Sequence, residues 1–117
     1  VDVAALVLRA GAKINAPDDA GSTPLHLAAY QGHGDVLTLL LQNRADIAAK
    51  NHTGSTALHD AARGLKSEDV VQKLLDFHAD PNAADLDGHR PAEIARTREM
   101  QEVLWQVTDV SKLLYVL

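Results

Sequence analysis

The chain has 117 residues, the length of a single domain with a modest core. Hydrophobic residues make up 46% of it but aromatic residues only 3%, so a core has to be built from Ala, Leu and Val, which favours closely packed helices. The net charge of −5 argues against a nucleic-acid or anionic-membrane surface, and the absence of cysteine excludes disulfides, thiolate metal sites and thiol nucleophiles.

The sequence also bears on where the protein works. No segment is long and apolar enough to span a bilayer, and the first residues carry no basic lead of the kind a signal peptide has. A chain without cysteine suits a reducing compartment. We therefore expect an intracellular protein, cytoplasmic or nuclear.

The first predicted element is a helix that contains Val3, Leu6 and Val7. Its segment VAALVLRAGAKIN matches the later segment VLTLLLQNRADI, with Gly11 in the place of Arg44. The chain thus starts in the second half of a repeat, without the first helix that would cover these apolar residues. We expect a fragment of a longer array, a truncated chain or an unusual cap.

The next predicted element is a short helix in the stretch GSTPLHLAA, residues 21–29. Thr23 precedes it as an N-cap, and Pro24 takes the first helical position, where its missing N–H costs nothing. Gly32 ends this helix, and a second, antiparallel helix follows. Its apolar stripe is Val36, Leu37, Leu40 and Leu41.

Residues 54–62, GSTALHDAA, repeat residues 21–29 and contain Ser55, Thr56, His59 and Asp60, the residue types of a hydrolase. Leu27 takes the place of Asp60 in the earlier copy, so the shared Thr-x-Leu-His frame favours a structural role over a catalytic triad. The second helix of this copy is predicted by the stripe Val70, Val71, Leu74 and Leu75, after a one-residue insertion in GLKSED.

The last copy begins at DGHRPAEIAR and continues with EVLWQV. Arg90 replaces the threonine and Glu93 replaces the histidine, which predicts a divergent capping repeat. The apolar tail either extends the capping helix or offers an adhesive surface, and its residues are Leu113, Leu114, Tyr115, Val116 and Leu117.

These copies resemble the ankyrin repeat, whose hallmark is T-P-L-H-x-A-A followed by G-H, a V-V-x-x-L-L helix and a G-A-D-x-N-A turn. The resemblance implies an all-α solenoid of stacked antiparallel helix pairs linked by β-hairpin loops. It divides one domain, 1–117, into a partial repeat at 1–17, repeats at 18–50 and 51–84, and a capping repeat with the tail at 85–117.

The resemblance also assigns roles to single residues. His26 and His59 bond to the threonine hydroxyl and nearby backbone and tie one repeat to the next, so we expect no metal site, no catalytic residue and no cofactor. Arg44 and His78 stand where the family favours glycine in a left-handed turn. Asn82 resembles loop asparagines that are hydroxylated in some ankyrin proteins, although a turn residue bonded through its side chain is the alternative.

Partners of such proteins usually bind the concave face, made of the loop tips and the exposed side of the first helices. Tyr30, Arg63 and Arg98 are the strongest candidates there, because Tyr and Arg are enriched at interface hot spots. Lys66 joins them because it lies in the inserted segment. The candidate partner-binding residues are Asp19, Ser22, Tyr30, Gln31, His52, Thr53, Ser55, Arg63, Lys66, Leu86, Asp87, His89 and Arg98.

Two functions fit this sequence. The first is a non-catalytic protein-interaction module, a scaffold or adaptor that binds another protein and neither nucleic acid nor membrane. The alternative is a regulatory or substrate-recruiting segment of a larger enzyme or effector whose catalytic part lies outside the chain. We expect a monomer, with weak end-to-end self-association as the alternative state.

Overall fold

The structure is a computed structural model, and it describes residues 14–64 and 68–108. Three predictions lie outside the described residues. They concern the helix around Val3, Leu6 and Val7, the inserted Lys66, and the apolar tail from Leu113 to Leu117.

The described residues form five α-helices and one 3-10 helix. They are α1 (Pro24–Gln31), α2 (Gly34–Gln42), α3 (Ala57–Arg63), α4 (Glu68–Asp76), the 3-10 helix (Pro91–Ile94) and α5 (Arg98–Val107). The inner helices α1, α3 and the 3-10 helix pack side by side, and each contacts the outer helix that follows it. The outer helices α2, α4 and α5 form the second layer. This arrangement confirms the predicted all-α stack of helix pairs.

The core between the two layers is almost entirely aliphatic. Both predicted stripes face it, since Leu37 and Leu40 of α2 and Val70 and Leu74 of α4 are all fully buried. Ala29, Ala61 and Ala62 have no exposed surface, which lets neighbouring inner helices approach closely. Each helix pair is too small to bury its own faces, so stacking between repeats completes the core.

The histidine of each T-x-L-H motif fixes a helix start and reaches the next repeat. The Thr23 N–H donates to Nδ1 of His26 at 3.1 Å, and Nε2 of the same ring donates to the Ser55 carbonyl at 2.8 Å. His59 repeats both bonds one copy later, at 3.1 and 2.8 Å. Because Nδ1 accepts a backbone N–H, Nε2 is the ring nitrogen that donates to the next repeat. The predicted inter-repeat bonds are confirmed.

The outer helices α2 and α4 both end in a left-handed turn, and neither turn has glycine. Arg44 and His78 each have a φ of 69°. The Ala45 N–H donates to the Leu40 carbonyl at 3.0 Å, and the Arg44 N–H donates to the Leu41 carbonyl at 3.2 Å. These two bonds make the Schellman pattern. The prediction that both residues occupy the family's glycine position is confirmed.

In the last repeat Glu93 takes the position of the histidine and makes different hydrogen bonds. Glu93 accepts the Arg90 N–H at 3.0 Å and the Arg90 guanidinium at 3.1 Å, and within the described ranges its carboxylate bonds to Arg90 alone. The guanidinium also lies over the Trp105 ring, 5.2 Å from its centroid. The onward histidine bond therefore stops at this repeat, as the sequence predicts.

Candidate functional site

Three loops precede the inner helices, and all three use the same turn. Asp18, Asn51 and Asp85 start them, and each places its Oδ1 within 2.9–3.1 Å of the backbone N–H groups two and four positions on. The side chain thus satisfies donors that the turn would leave open. Sequence reasoning missed these residues, although the spacing of Asp or Asn three positions before glycine could have found them.

Neighbouring loops are bonded to each other and form a continuous loop row, residues 18–22, 51–55 and 85–89. The His52 N–H donates to the Ala20 carbonyl at 3.0 Å, and the Leu86 N–H donates to the Thr53 carbonyl at 2.9 Å. A Cβ on Gly54 would lie 2.7 Å from the Leu86 nitrogen, so the loops touch closely. The row is held by backbone bonds rather than by side chains alone.

The loops differ in one respect from the predicted β-hairpins. No β-strand occurs in residues 14–64 or 68–108. Each loop has a single backbone bond across its base, for example from the Asp18 N–H to the Ser22 carbonyl at 2.9 Å. One such bond makes a turn, because a strand needs several successive bonds to its neighbour.

Most of the predicted partner-binding residues lie at the surface of the loop row and α1. Those that are exposed are Asp19, Tyr30, Gln31, His52, Thr53, Leu86, Asp87 and His89, and Ser22 is half-buried. We call the loop row together with the outward sides of the inner helices the inner face. Two groups make it up: Asp19, Ser22, His52, Thr53, Leu86, Asp87 and His89 belong to the bonded loop row, and Tyr30 and Gln31 end α1.

Two predicted site residues are placed differently. Ser55 was expected at an exposed loop tip but has no exposed surface, because its carbonyl accepts from His26 and its hydroxyl from Arg63. Arg98 was expected on an inner helix, but the inner helix of the last repeat ends at Ile94 and Arg98 begins the outer helix α5. There it pairs with Glu102 at 3.3 Å.

Arg63 is half-buried and takes part in a polar network on α3. Its guanidinium donates to the Ser55 hydroxyl, which lies 3.1 Å from the Thr53 hydroxyl. The same guanidinium stands 3.8 Å from the Asp60 carboxylate. Burial raises the pKa of the Asp60 carboxyl, and the nearby His26 and Arg63 oppose that rise. The prediction that Arg63 is available for a partner is therefore modified, since internal bonds already position its side chain.

The predicted partner-binding residues did not include Leu27 and Asp60, which occupy the same position in successive repeats. Leu27 is 47% exposed and lies one turn from Tyr30, which is 48% exposed. Asp60 is only 8% exposed. The signal in the sequence was the change from Leu27 to Asp60 to Ile94 at one position of an otherwise regular motif, which is typical of a position that the fold does not restrict to one residue type.

The fold and these repeated contacts agree with the result of comparing the chain with protein families. A family model that describes ankyrin repeats, in three copies, matches residues 2–85. The chain belongs to the ankyrin-repeat family. Ankyrin repeats are generally protein–protein interaction modules and are typically non-catalytic. No curated protein matches the chain.

The family match ends at residue 85, where we predict the divergent capping ankyrin repeat to begin. Within the described ranges of this ankyrin-repeat chain, no helix combines the length and the apolar character needed to cross a membrane.

One group of potential metal ligands lies at the last loop of the ankyrin stack. Ligand-type atoms of Asp85, Asp87 and His89 lie within 4.8 Å of one another. Oδ1 of Asp85 already accepts the N–H groups of the other two residues, at 2.9 Å each. These bonds lower the pKa of the Asp85 carboxyl and oppose the effect of its burial. The cluster is thus accounted for by the turn that all three loops share.

Asn82, the residue that resembles hydroxylated asparagines of other ankyrin proteins, is exposed. Its backbone N–H donates to Asp80 Oδ1 at 2.8 Å, in a turn that precedes the last loop. Hydroxylation of Asn82 stays a prediction. Intact-mass measurement after treatment with an asparaginyl hydroxylase tests it, since the modification adds one oxygen.

Proposed function

We propose that this ankyrin-repeat domain is a non-catalytic scaffold or adaptor module that binds a partner protein through its inner face. The observation that supports the proposal best is the exposure of three large apolar side chains there. Leu27, Tyr30 and Leu86 are 47%, 48% and 77% exposed. Leu27 and Tyr30 lie in α1, and Leu86 lies in the loop row. Hydrogen bonds hold the backbone of both elements.

The loop row favours binding because it is ordered before a partner arrives. Its Asp- and Asn-capped turns and its loop-to-loop bonds restrict the backbone, so little conformational entropy is lost when a partner docks. The apolar side chains stand out from this framework, and Tyr contributes contact area with few rotatable bonds. A rigid face with exposed apolar anchors is suited to binding a protein surface.

The proposal is tested by capture of proteins from a cell lysate on the immobilised chain. The test variant is Tyr30→Ala with Leu86→Ser, which removes two exposed anchors and leaves the core unchanged. The matched control is Phe77→Ala, because Phe77 is 36% exposed and follows the outer helix α4. Thermal unfolding of all three chains shows whether the fold is kept, and we expect it to be, since surface substitutions usually change stability little.

We expect a protein that is retained by the original chain and by Phe77→Ala and is lost from Tyr30→Ala/Leu86→Ser. Retention of the same proteins by all three chains would refute the inner face as the binding surface. Loss from the control alone would move the binding surface to the outer helices.

A further inference from the structure

We propose that Asp60 receives a lysine or arginine side chain of the partner, so that the inner face binds a basic segment of another protein. This inference rests on the proposed function and names the chemistry of the partner. It is argued from the surroundings of Asp60, from the charges along the loop row and from the exposed side of α1.

Asp60 is a buried carboxylate with unused capacity to accept hydrogen bonds. Only 8% of the residue is exposed, and no hydrogen bond reaches its carboxylate from the described part of the chain. Its nearest cation is Arg63, with 3.8 Å between Nη1 and Oδ1, which is too long for a hydrogen bond. An ionised carboxylate offers about four acceptor positions. The Asp60 side chain is 12% exposed, so a donor of a partner can reach these open positions.

The geometry of Arg63 explains why it leaves Asp60 open. Its guanidinium donates to the Ser55 hydroxyl, which is in turn within 3.1 Å of the Thr53 hydroxyl. This network holds Arg63 toward the loop row and prevents the two-bond pairing that an arginine and a carboxylate otherwise form. Among residues 14–64 and 68–108, Asp60 therefore has a neighbouring positive charge but no donor within hydrogen-bond distance.

The charges of the loop row favour a cationic ligand over an anionic one. Four aspartates lie in it: Asp18, Asp19, Asp85 and Asp87. The cations beside it in the described residues are engaged: Arg63 donates to Ser55, Lys50 donates to the Ala84 carbonyl at 3.1 Å, and Arg90 pairs with Glu93 at 3.1 Å. The resulting negative potential attracts a basic segment and repels an acidic one, which sets the choice of partner more than the affinity.

The neighbouring helix offers a surface for the stem of such a side chain. Helix α1 packs directly on α3, and its Leu27 and Tyr30 are about half exposed. Lysine and arginine lay their aliphatic stems along apolar surface while the charged group reaches a polar site, and a tyrosine ring also attracts the cation. We therefore expect the partner segment to carry an apolar residue close to its basic one.

The test uses a phage-displayed library of random peptides, selected on the immobilised chain. Peptides that are selected are synthesised and their affinity is measured for the original chain, for Asp60→Asn and for the control Asp76→Asn. Asp76 is an exposed acid at the end of the outer helix α4, so the control removes the same charge from the other layer. A further variant, Asp60→Leu, carries the residue that the preceding repeat has at this position.

We expect selected peptides to share a lysine or arginine next to an apolar residue. Their affinity should fall about tenfold or more in Asp60→Asn and Asp60→Leu, because a buried charge pair loses at least this much when one partner is removed. Asp76→Asn should bind as the original chain does. Thermal unfolding at the same midpoint or higher in Asp60→Asn shows that the loss concerns binding rather than folding.

Three results would overturn the inference. They are selection of peptides without a basic residue, equal affinity for the original chain and Asp60→Asn, or no selected peptide at all. If lysate capture still depends on Tyr30 and Leu86, the proposed function stands and only the basic partner is wrong. If capture is also unaffected by those substitutions, the inner face itself is wrong.

Discussion

Replacing Arg44 by glycine should stabilise the protein, although the change removes a whole side chain. Arg44 is exposed and has a φ of 69°, the conformation that glycine adopts without strain. Its backbone N–H and the next one complete the turn that ends α2, with bonds of 3.2 and 3.0 Å. Glycine keeps both bonds, so the substitution changes only the backbone strain of the folded state and the conformational entropy of the unfolded chain.

The size of the effect follows from two opposing terms. A residue with a Cβ loses about 1–2 kcal/mol in the left-handed conformation. Glycine reduces this gain by about 0.4–1 kcal/mol, because it raises the conformational entropy of the unfolded chain. The net gain is about 0.5–1 kcal/mol, which corresponds to a rise of about 2–4 °C in the midpoint of thermal unfolding for a domain of this size. His78→Gly should act alike, since its φ is also 69°.

Thermal and urea unfolding followed by far-UV circular dichroism measure the change. Arg44→Ala is the control, because it removes the same side chain and keeps the left-handed strain. We expect Arg44→Gly to be more stable than both the original chain and Arg44→Ala, and the variant with both glycines to gain about twice as much, since distant sites add. A midpoint for Arg44→Gly at or below that of Arg44→Ala would refute the reasoning.

The remaining predictions concern the loop row and the inter-repeat bonds. Gly54→Ala should destabilise the chain by more than Gly88→Ala: both glycines have positive φ, 77° and 82°, but a Cβ meets the Leu86 nitrogen at 2.7 Å in the first case and nothing within 4 Å in the second. Equal losses of free energy of unfolding in urea would show that loop contact is unimportant. Thr23→Val should cost about 1 kcal/mol, the usual loss when an N-cap hydroxyl is removed, because the Thr23 hydroxyl accepts the His26 N–H that begins α1 and also lies 2.9 Å from Nδ1 of the same residue; unchanged urea unfolding would contradict the capping role. Burial lowers the pKa of the His59 imidazole, against the opposing effects of the His89 carbonyl and Asp85. The folded state thus favours the neutral His59 ring. Its contribution to stability is fully present above the ordinary imidazole pKa of about 6.5. It is lost as the pH falls below that value, because the unfolded chain takes up the proton first. The thermal midpoint should therefore drop between about pH 7 and about pH 5 by more in the original chain than in His59→Gln, and parallel profiles would disprove this contribution.

Several structural features could be predicted because copies of one motif occur in the same chain. The comparison of Thr23 and His26 with the second copy separated structural positions from variable ones and predicted the helix starts. The resemblance to the ankyrin repeat predicted the bonds between repeats. The replacement of histidine by Glu93 predicted the end of those bonds. Each of these hydrogen bonds joins residues three positions apart or reaches the residue just before the N-cap of the next inner helix.

The inner face was predicted less completely. Ser55 was assigned to an exposed tip because the ankyrin resemblance carries that position over from copy to copy. In the structure it has no exposed surface, and it accepts hydrogen bonds from Arg63 and His26. Arg98 was assigned to an inner helix because the repeat register places it there, yet the inner helix of the last repeat has only four residues. Neither outcome is visible from the spacing of residues.

The sequence by itself determined the repeat and the helix caps, because these depend on residues a few positions apart. The resemblance to the ankyrin repeat predicted the left-handed turns at Arg44 and His78. Only the tertiary structure decided how far each side chain is exposed. Leu27 and Asp60 hold the same position in successive repeats, but the first is 47% exposed and the second 8%. The physical reason is that α3 is flanked by both α1 and the 3-10 helix, so burial at that position depends on the neighbouring repeats rather than on the residue itself.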